Sequence, residues 1–290
     1  MKLHKNQFKA MLRKTWKRHR NAMPETPEDV TNLIAKIQLG TLNSLLYPPV
    51  TRNWTQCFLR ARATSTLDAN DRDDPQQHSH PPASMTSRGR ANIPGYPAFY
   101  GGDDPRVVLL EIGAKKGDDV YVSCWKHPGP INYAQFCFSV SDEERIVRET
   151  QNADAVLRAL LSDNLQPLAR VAVKSVMEIF LDPKHGISSA IAHDALHSKN
   201  FDAIEFACAS TKCSFNYALK PECAAKMTLW RVVRIIVGDG NSYHPQEVGE
   251  IAKGDSNITW KQVTEDMPDE CTNLLDVSEP GIRELDPISL

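Results

Sequence analysis

Between residues 89 and 111 the chain sets a fixed cation, an aromatic hydroxyl and a carboxylate on consecutive pieces of sequence. Arg90 and Asn92 stand in GRANIPG, Tyr100 ends PAFY, and Glu111 ends DDPRVVLLE. Arginine presents a planar fork of donors that fits phosphate oxygens in pairs. Tyrosine adds a flat ring and a hydroxyl. A glutamate carboxylate can hold sugar hydroxyls and stabilise the positive charge that develops when a glycosidic carbon loses its leaving group. These groups suit a ligand that combines phosphate, ribose and a flat cationic base. The plainer alternative is an Arg90–Glu111 ion pair beside a core tyrosine, and composition alone favours it because both are common.

Other chemistries find little support. The chain has no Walker A sequence, no GxGxxG after a strand, no HExxH and no GxSxG. His193 and His197 stand four apart, a metal-compatible helical spacing, but zinc needs three or four ligands and no third is near, so no metal is expected. His78 and His80 sit in a polar stretch and are weaker candidates still.

The elements that would position these groups read as a mixture of helices and strands without regular βα alternation, an α+β class. Thr26, Pro27, Glu28, Asp29 and Gly40 bracket a helix over 27–39. CFLRARA (57–63) alternates like a strand, and residues 66–88 form a long polar loop of the kind that serves as a lid or binding segment, or is simply disordered. PAFY predicts a short strand, followed by a helix to Glu111 capped by Asp103 or Asp104 with Pro105 in its first turn. Further strands are expected at 119–125, 133–140, 202–208, 216–219 and 229–237. Helices are expected near 142–150, 153–163, 168–180 and 187–197.

Charge is uneven along the chain. Residues 1–20 hold eight Lys and Arg and no acid, with Phe8, Met11, Leu12 and Trp16 at helical spacing, which predicts a basic amphipathic helix whose stripe packs on the core. Such a helix could instead touch RNA, anionic lipid or an acidic partner. Residues 239–290 hold twelve acids against Lys253, Lys261 and Arg283, so the C-terminal region reads as an acidic extension that offsets the basic segment or binds a partner. The expected organisation is a basic helical extension over 1–50, a catalytic domain over 54–237 and the acidic extension over 239–290.

The net charge of −2 argues against a nucleic-acid partner for the chain as a whole. Seven cysteines without a CxxC pair read as reduced thiols. With no secretory signal or membrane span in the sequence, the expectation is a cytoplasmic protein. Oligomeric state stays open, a homo-oligomer included.

FLRARA, GRANIPGYPAFY and the helix ending at Glu111 together resemble the RES domain, named for its Arg, Glu and Ser residues, whose pattern runs from an early Arg through GR-x-N-x-x-G and a Tyr to an apolar helix and a Glu. FDAIEFACAS (201–210) and FNYALKPE (215–222) are similar to the family's later strands, so the likeness covers residues 54–237. The resemblance implies a fold like that of ADP-ribosyltransferases and an enzyme that cleaves NAD⁺, passing ADP-ribose to water or inorganic phosphate. It also implies a toxin held by an Xre-type antitoxin. An acceptor on a protein, or a catalytically impaired nucleotide-binding homologue, are the alternatives.

NAD⁺ is then the substrate, with no cofactor beyond it and inorganic phosphate as an optional co-substrate. By the same resemblance Arg90, Tyr100 and Glu111 are the catalytic set, and Asn92 belongs to the binding loop. Arg60 and Arg62, two apart on one strand face, are both candidates for the pyrophosphate. Where the family shows Tyr-Pro-Ser, this chain reads Phe206-Ala207-Cys208, with Ser210 two places later. Either Cys208 or Ser210 takes the serine's place.

Overall fold

The computed structural model describes residues 5–37, 49–52, 56–69, 71–136, 166–207, 215–239, 242–252 and 255–264. The helices expected near 142–150 and 153–163 lie outside the described residues, as do Cys208 and Ser210. The chain divides into two compact units. One comprises Met1–Arg52, His80–Tyr100 and Ile131–Ala225, and the other Asn53–Ser79, Gly101–Pro130 and Lys226–Leu290.

In the first unit, helices α1 (Lys5–His19) and α2 (Pro27–Lys36) precede strand β1 (Pro49–Arg52). Strand β3 (Phe99–Gly102) begins here and ends in the second unit. Strand β5 (Ile131–Gln135), helices α4 (Gln166–Phe180) and α5 (Gly186–His197), strands β6 (Ala203–Ala207) and β7 (Phe215–Leu219) and the short helix α6 (Pro221–Ala224) complete it. β1 pairs antiparallel with β5, β5 parallel with β6, and β6 antiparallel with β7.

α2 starts where its sequence signals put it. Thr26 and Asp29 close a reciprocal capping box that satisfies backbone donors otherwise left open at the helix start, and Pro27 takes the first turn. The basic N-terminal segment is helical and its stripe is buried. Phe8 and Leu12, one turn apart, are 3% and 2% exposed and join Leu33 of α2, Phe180 of α4, Ile191 of α5 and Phe206 of β6 in one core. Met11, off that line, is 38% exposed.

The second unit is an antiparallel sheet in the order β2 (Gln56–Ala63), β4 (Asp119–His127), β8 (Thr228–Val237), β9 (Tyr243–Glu250) and β10 (Thr259–Gln262). Gly102 of β3 pairs with Leu59 on the outer side of β2. Helix α3 (Pro105–Glu111) packs on β2. Its Val108 and Leu109 meet Leu59, Val122 and Val233 in a second apolar cluster. A Cβ at Gly102 would come 2.9 Å from Val108 Cγ1, so glycine is what lets α3 fold back closely after the strand.

β9 and β10 fall in the region whose acidity reads as an extension. YHPQEVGE carries a proline and little apolar alternation. Pro245 is accommodated by a register shift between Arg234 and Ile235 on β8. The acids are used locally: Glu247, 6% exposed, accepts from Arg234 at 2.9 Å and Arg72 at 3.1 Å, and Glu250 pairs with Arg231 and Lys261, each at 3.3 Å. Burial by itself would raise the Glu247 pKa, but the hydrogen bonds from Arg234 and Arg72 outweigh it and hold the carboxyl below its ordinary value. These acids thus pair with the second unit's own cations.

Part of the polar loop is ordered against those same strands. Asp73 accepts the Trp260 indole N–H at 2.7 Å and its carbonyl accepts the Ile258 N–H at 2.8 Å, while the Arg72 guanidinium lies 4.5 Å from the Trp260 ring. His78 is buried, edge-on to Tyr121, with Nε2 2.9 Å from the Arg72 carbonyl.

Candidate active site

GRAN forms a tight turn, closed by Gly89 N–H donating to the Asn92 carbonyl at 3.1 Å. The turn is locked from β3. The Tyr100 hydroxyl accepts the Ala91 N–H at 2.6 Å and donates to Asn92 Oδ1 at 2.7 Å. The Asn92 amide nitrogen donates in turn to the carbonyls of Ser87 at 2.7 Å and Ile93 at 3.1 Å. All polar atoms of the Asn92 side chain are therefore spent inside the loop. A Cβ at Gly89 would lie 2.4 Å from Asn92 Oδ1 and 2.5 Å from Tyr100 Oη, a clash that only glycine avoids. The spacing of Gly89, Asn92 and Tyr100 is one hydrogen-bonded device, and the side chain it leaves to point elsewhere is Arg90.

Arg90 is half-buried, and its guanidinium carbon lies 6.0 Å from the centre of the Phe206 ring. Phe206 is near the end of β6, two residues before Cys208. The first unit thus brings Arg90 to the C-terminal end of β6. Nothing in the sequence pattern marks Phe206 as the platform for Arg90, because the two are 116 residues apart and meet only through tertiary packing.

The second unit holds the other candidates. Arg62 spends its fork on the polar loop: Nε donates to Thr66 Oγ1 at 3.0 Å, Nη2 to the Thr66 carbonyl at 3.0 Å, and Nη1 to the Gln77 carbonyl. Arg60, opposite Ser123 on β4, carries a half-buried side chain on the same strand. Glu111 is the last residue of α3 and is exposed. The helix is anchored elsewhere, by Asp104, whose carboxylate caps the Arg106 N–H at 2.8 Å, and by the burial of Val107, Val108 and Leu109. The C-terminal end of a helix, where Glu111 stands, carries partial negative charge and favours a cation.

The histidine pair is explained by packing. The His193 and His197 rings stack at 3.8 Å, Tyr96 meets both edge-on, and His197 Nδ1 lies 2.9 Å from the His193 carbonyl. Together with Ala91, Asn92 and Lys220 they surround a gap of only about 10 Å³, too small for a ligand, so this cluster supports the back of the GRAN turn. No group of three or more His, Cys, Asp or Glu able to hold a metal occurs among the described residues.

His193 is 5% exposed, and burial, aided by His197, lowers its pKa from 6.5 to about 4. The neutral ring is the folded form, so its contribution is complete above pH 6.5 and is lost as pH falls towards about 4. Urea titrations should show up to about 3 kcal/mol of stability lost over that window beyond what His193→Gln loses. Identical pH dependence in the two proteins would remove His193 as the cause.

No helix of the described residues is long and apolar enough to cross a membrane. The described cysteines, Cys57, Cys124 and Cys223, are not in disulfides. Comparison with known proteins gives no significant match to a curated protein or to a solved structure. A family model described as the RES domain matches residues 60–236, from Arg60 in β2 to the penultimate residue of β8. That span takes in more than half of the 290 residues, including the Tyr100-locked turn, Glu111 and β6, and with it the chain belongs to the RES domain family.

Proposed function

We propose that the chain cleaves the nicotinamide–ribose bond of NAD⁺ and passes ADP-ribose to water or inorganic phosphate. The observation that carries this reading is the Tyr100-locked turn, in which Asn92 and the Tyr100 hydroxyl hold the backbone that carries the half-buried Arg90. A rigid backbone under an arginine favours recognition of a diphosphate, since less freedom is lost when the ligand arrives.

In this mechanism the C–N bond breaks with its electron pair going to the pyridine nitrogen, so nicotinamide departs neutral. The ribosyl carbon is left as an oxocarbenium, whose charge Glu111 offsets. Water adds to that carbon and loses a proton to give ADP-ribose; phosphate adds to give the corresponding sugar phosphate. Of the β2 arginines, Arg62 is poorly placed to serve the diphosphate, because every one of its guanidinium nitrogens already donates to the loop. Tyr100 can still offer its ring face to nicotinamide or ribose while its hydroxyl holds the turn.

An ADP-ribosyltransferase-like architecture, depletion of an intracellular NAD⁺ pool as a toxin, and restraint by an Xre-type antitoxin belong to the same reading. The test is purified full-length chain with NAD⁺, with and without inorganic phosphate, followed by chromatography. Nicotinamide should appear in step with ADP-ribose or its phosphate. Intact NAD⁺ under both conditions would overturn the reading.

A further inference from the structure

Away from the residues discussed so far, the first unit contains a cavity of about 170 Å³ between α1, α4 and the start of α5. Its apolar wall is Trp16, Ile179 and Ile187, and its polar floor is two buried serines, Ser175 and Ser188. Around the mouth stand four cations, Arg13, Lys17, Arg20 and Lys184, against two carboxylates, Glu178 and Asp182.

One of those carboxylates is already neutralised within the wall. Asp182 accepts from Arg20 Nε at 2.6 Å and from the Lys184 backbone N–H at 3.0 Å, and the Arg20 hydrogen bond is the main reason its pKa lies below the ordinary value. Arg13 and Lys17, one turn apart on α1, are exposed and turn the same edge of the helix to the opening. The Trp16 indole N–H is buried and has no acceptor among the described residues. A buried donor without a partner is costly, and an oxygen atom in the cavity would satisfy it.

Size narrows the occupant. An apolar cavity of about 150 Å³ accepts a benzene ring, so this one takes a single ring and not a dinucleotide. We infer that the cavity bounded by Trp16, Ile179 and Ile187, with its unpartnered indole N–H and rim of basic side chains, binds a single-ring organic anion. The ring packs on the apolar wall, and the carboxylate or phosphate group accepts from Trp16 and is held by Arg13 and Lys17. Occupancy would tie α1 to α4 and α5, so the ligand also stabilises the docking of the basic N-terminal helix. This site is separate from the Arg90 turn and does not depend on the NAD⁺ reaction.

Calorimetric titration of the full-length chain tests it with four probes: benzoate, phenyl phosphate, neutral benzamide and inorganic phosphate. Benzoate or phenyl phosphate should bind and raise the melting temperature, with benzamide and inorganic phosphate at least tenfold weaker. Arg13→Glu with Lys17→Glu, at two exposed positions, should weaken binding tenfold or more with the unliganded melting temperature unchanged. Trp16→Phe keeps the ring, removes the N–H and should weaken it several-fold. Benzamide binding as well as benzoate would overturn the anion requirement, and inorganic phosphate binding as well as phenyl phosphate would overturn the ring requirement. No binding of either ring anion, or binding unchanged in the doubly substituted chain, would overturn the proposal.

Discussion

Glu111→Gln is expected to lower NAD⁺ turnover by about 10²–10⁴-fold while NAD⁺ affinity and melting temperature stay near those of the unaltered chain. The substitution is isosteric and removes only charge. Glu111 is exposed at the last position of α3, a helix held by the Asp104 cap, Pro105 and the buried Val107, Val108 and Leu109. Those anchors are untouched by the substitution. The chemistry is not, because a neutral amide cannot offset the positive charge at the ribosyl carbon, and that charge is largest in the transition state. Single-turnover release of nicotinamide, measured beside equilibrium binding of NAD⁺, separates the two effects. A variant that cleaves NAD⁺ at the original rate would show that another group stabilises the cation.

Tyr100→Phe should act through the loop and not through the ring. It keeps the aromatic face but takes the hydroxyl from between the Ala91 N–H and Asn92 Oδ1, leaving both without that partner. Groups stranded in this way cost about 1–3 kcal/mol of stability. With the turn unlocked, Arg90 is no longer pre-set, and kcat/KM should fall on the order of 10²-fold, the scale of a 1 Å misplacement. Gly89→Ala should do the same from the other side, since its methyl would have to displace Asn92 Oδ1 or Tyr100 Oη. The comparison is diagnostic. If Tyr100 mattered only as a surface for nicotinamide, Tyr100→Phe would retain activity and Gly89→Ala alone would lose it.

Much of this was legible in the chain because its signals are local. Thr26-Pro27 and Asp104-Pro105 mark helix starts through hydrogen bonds that close within a few residues, and β2 announces itself by the alternation of CFLRARA. GR-x-N and the tyrosine ten residues after Arg90 are close enough to be read as one motif, and the family match over 60–236 bears the resemblance out. What could not be read was the partner of each group. Spacing puts Arg60 and Arg62 on one strand face, yet whether a guanidinium is spent on a loop depends on where residues 66–77 fold. Spacing likewise allows a metal at His193 and His197, while the structure fills the space around them with Tyr96.

The terminal segments show the same division. Charge and helical spacing mark residues 1–20 as a basic amphipathic helix, which the structure shows over Lys5–His19, and the region after 239 is acidic by composition. Only the folded chain reveals that Phe8 and Leu12 belong to the main core of the first unit, and that Glu247 and Glu250 sit on β9, between β8 and β10, answering Arg72, Arg231 and Arg234. Residue types and short spacings determine which chemistry a side chain can offer and which way a helix or strand turns it. Whether that side chain stays available for a ligand is decided by contacts between segments far apart in sequence, because hydrogen bonds and burial are satisfied in space and no one-dimensional pattern records them.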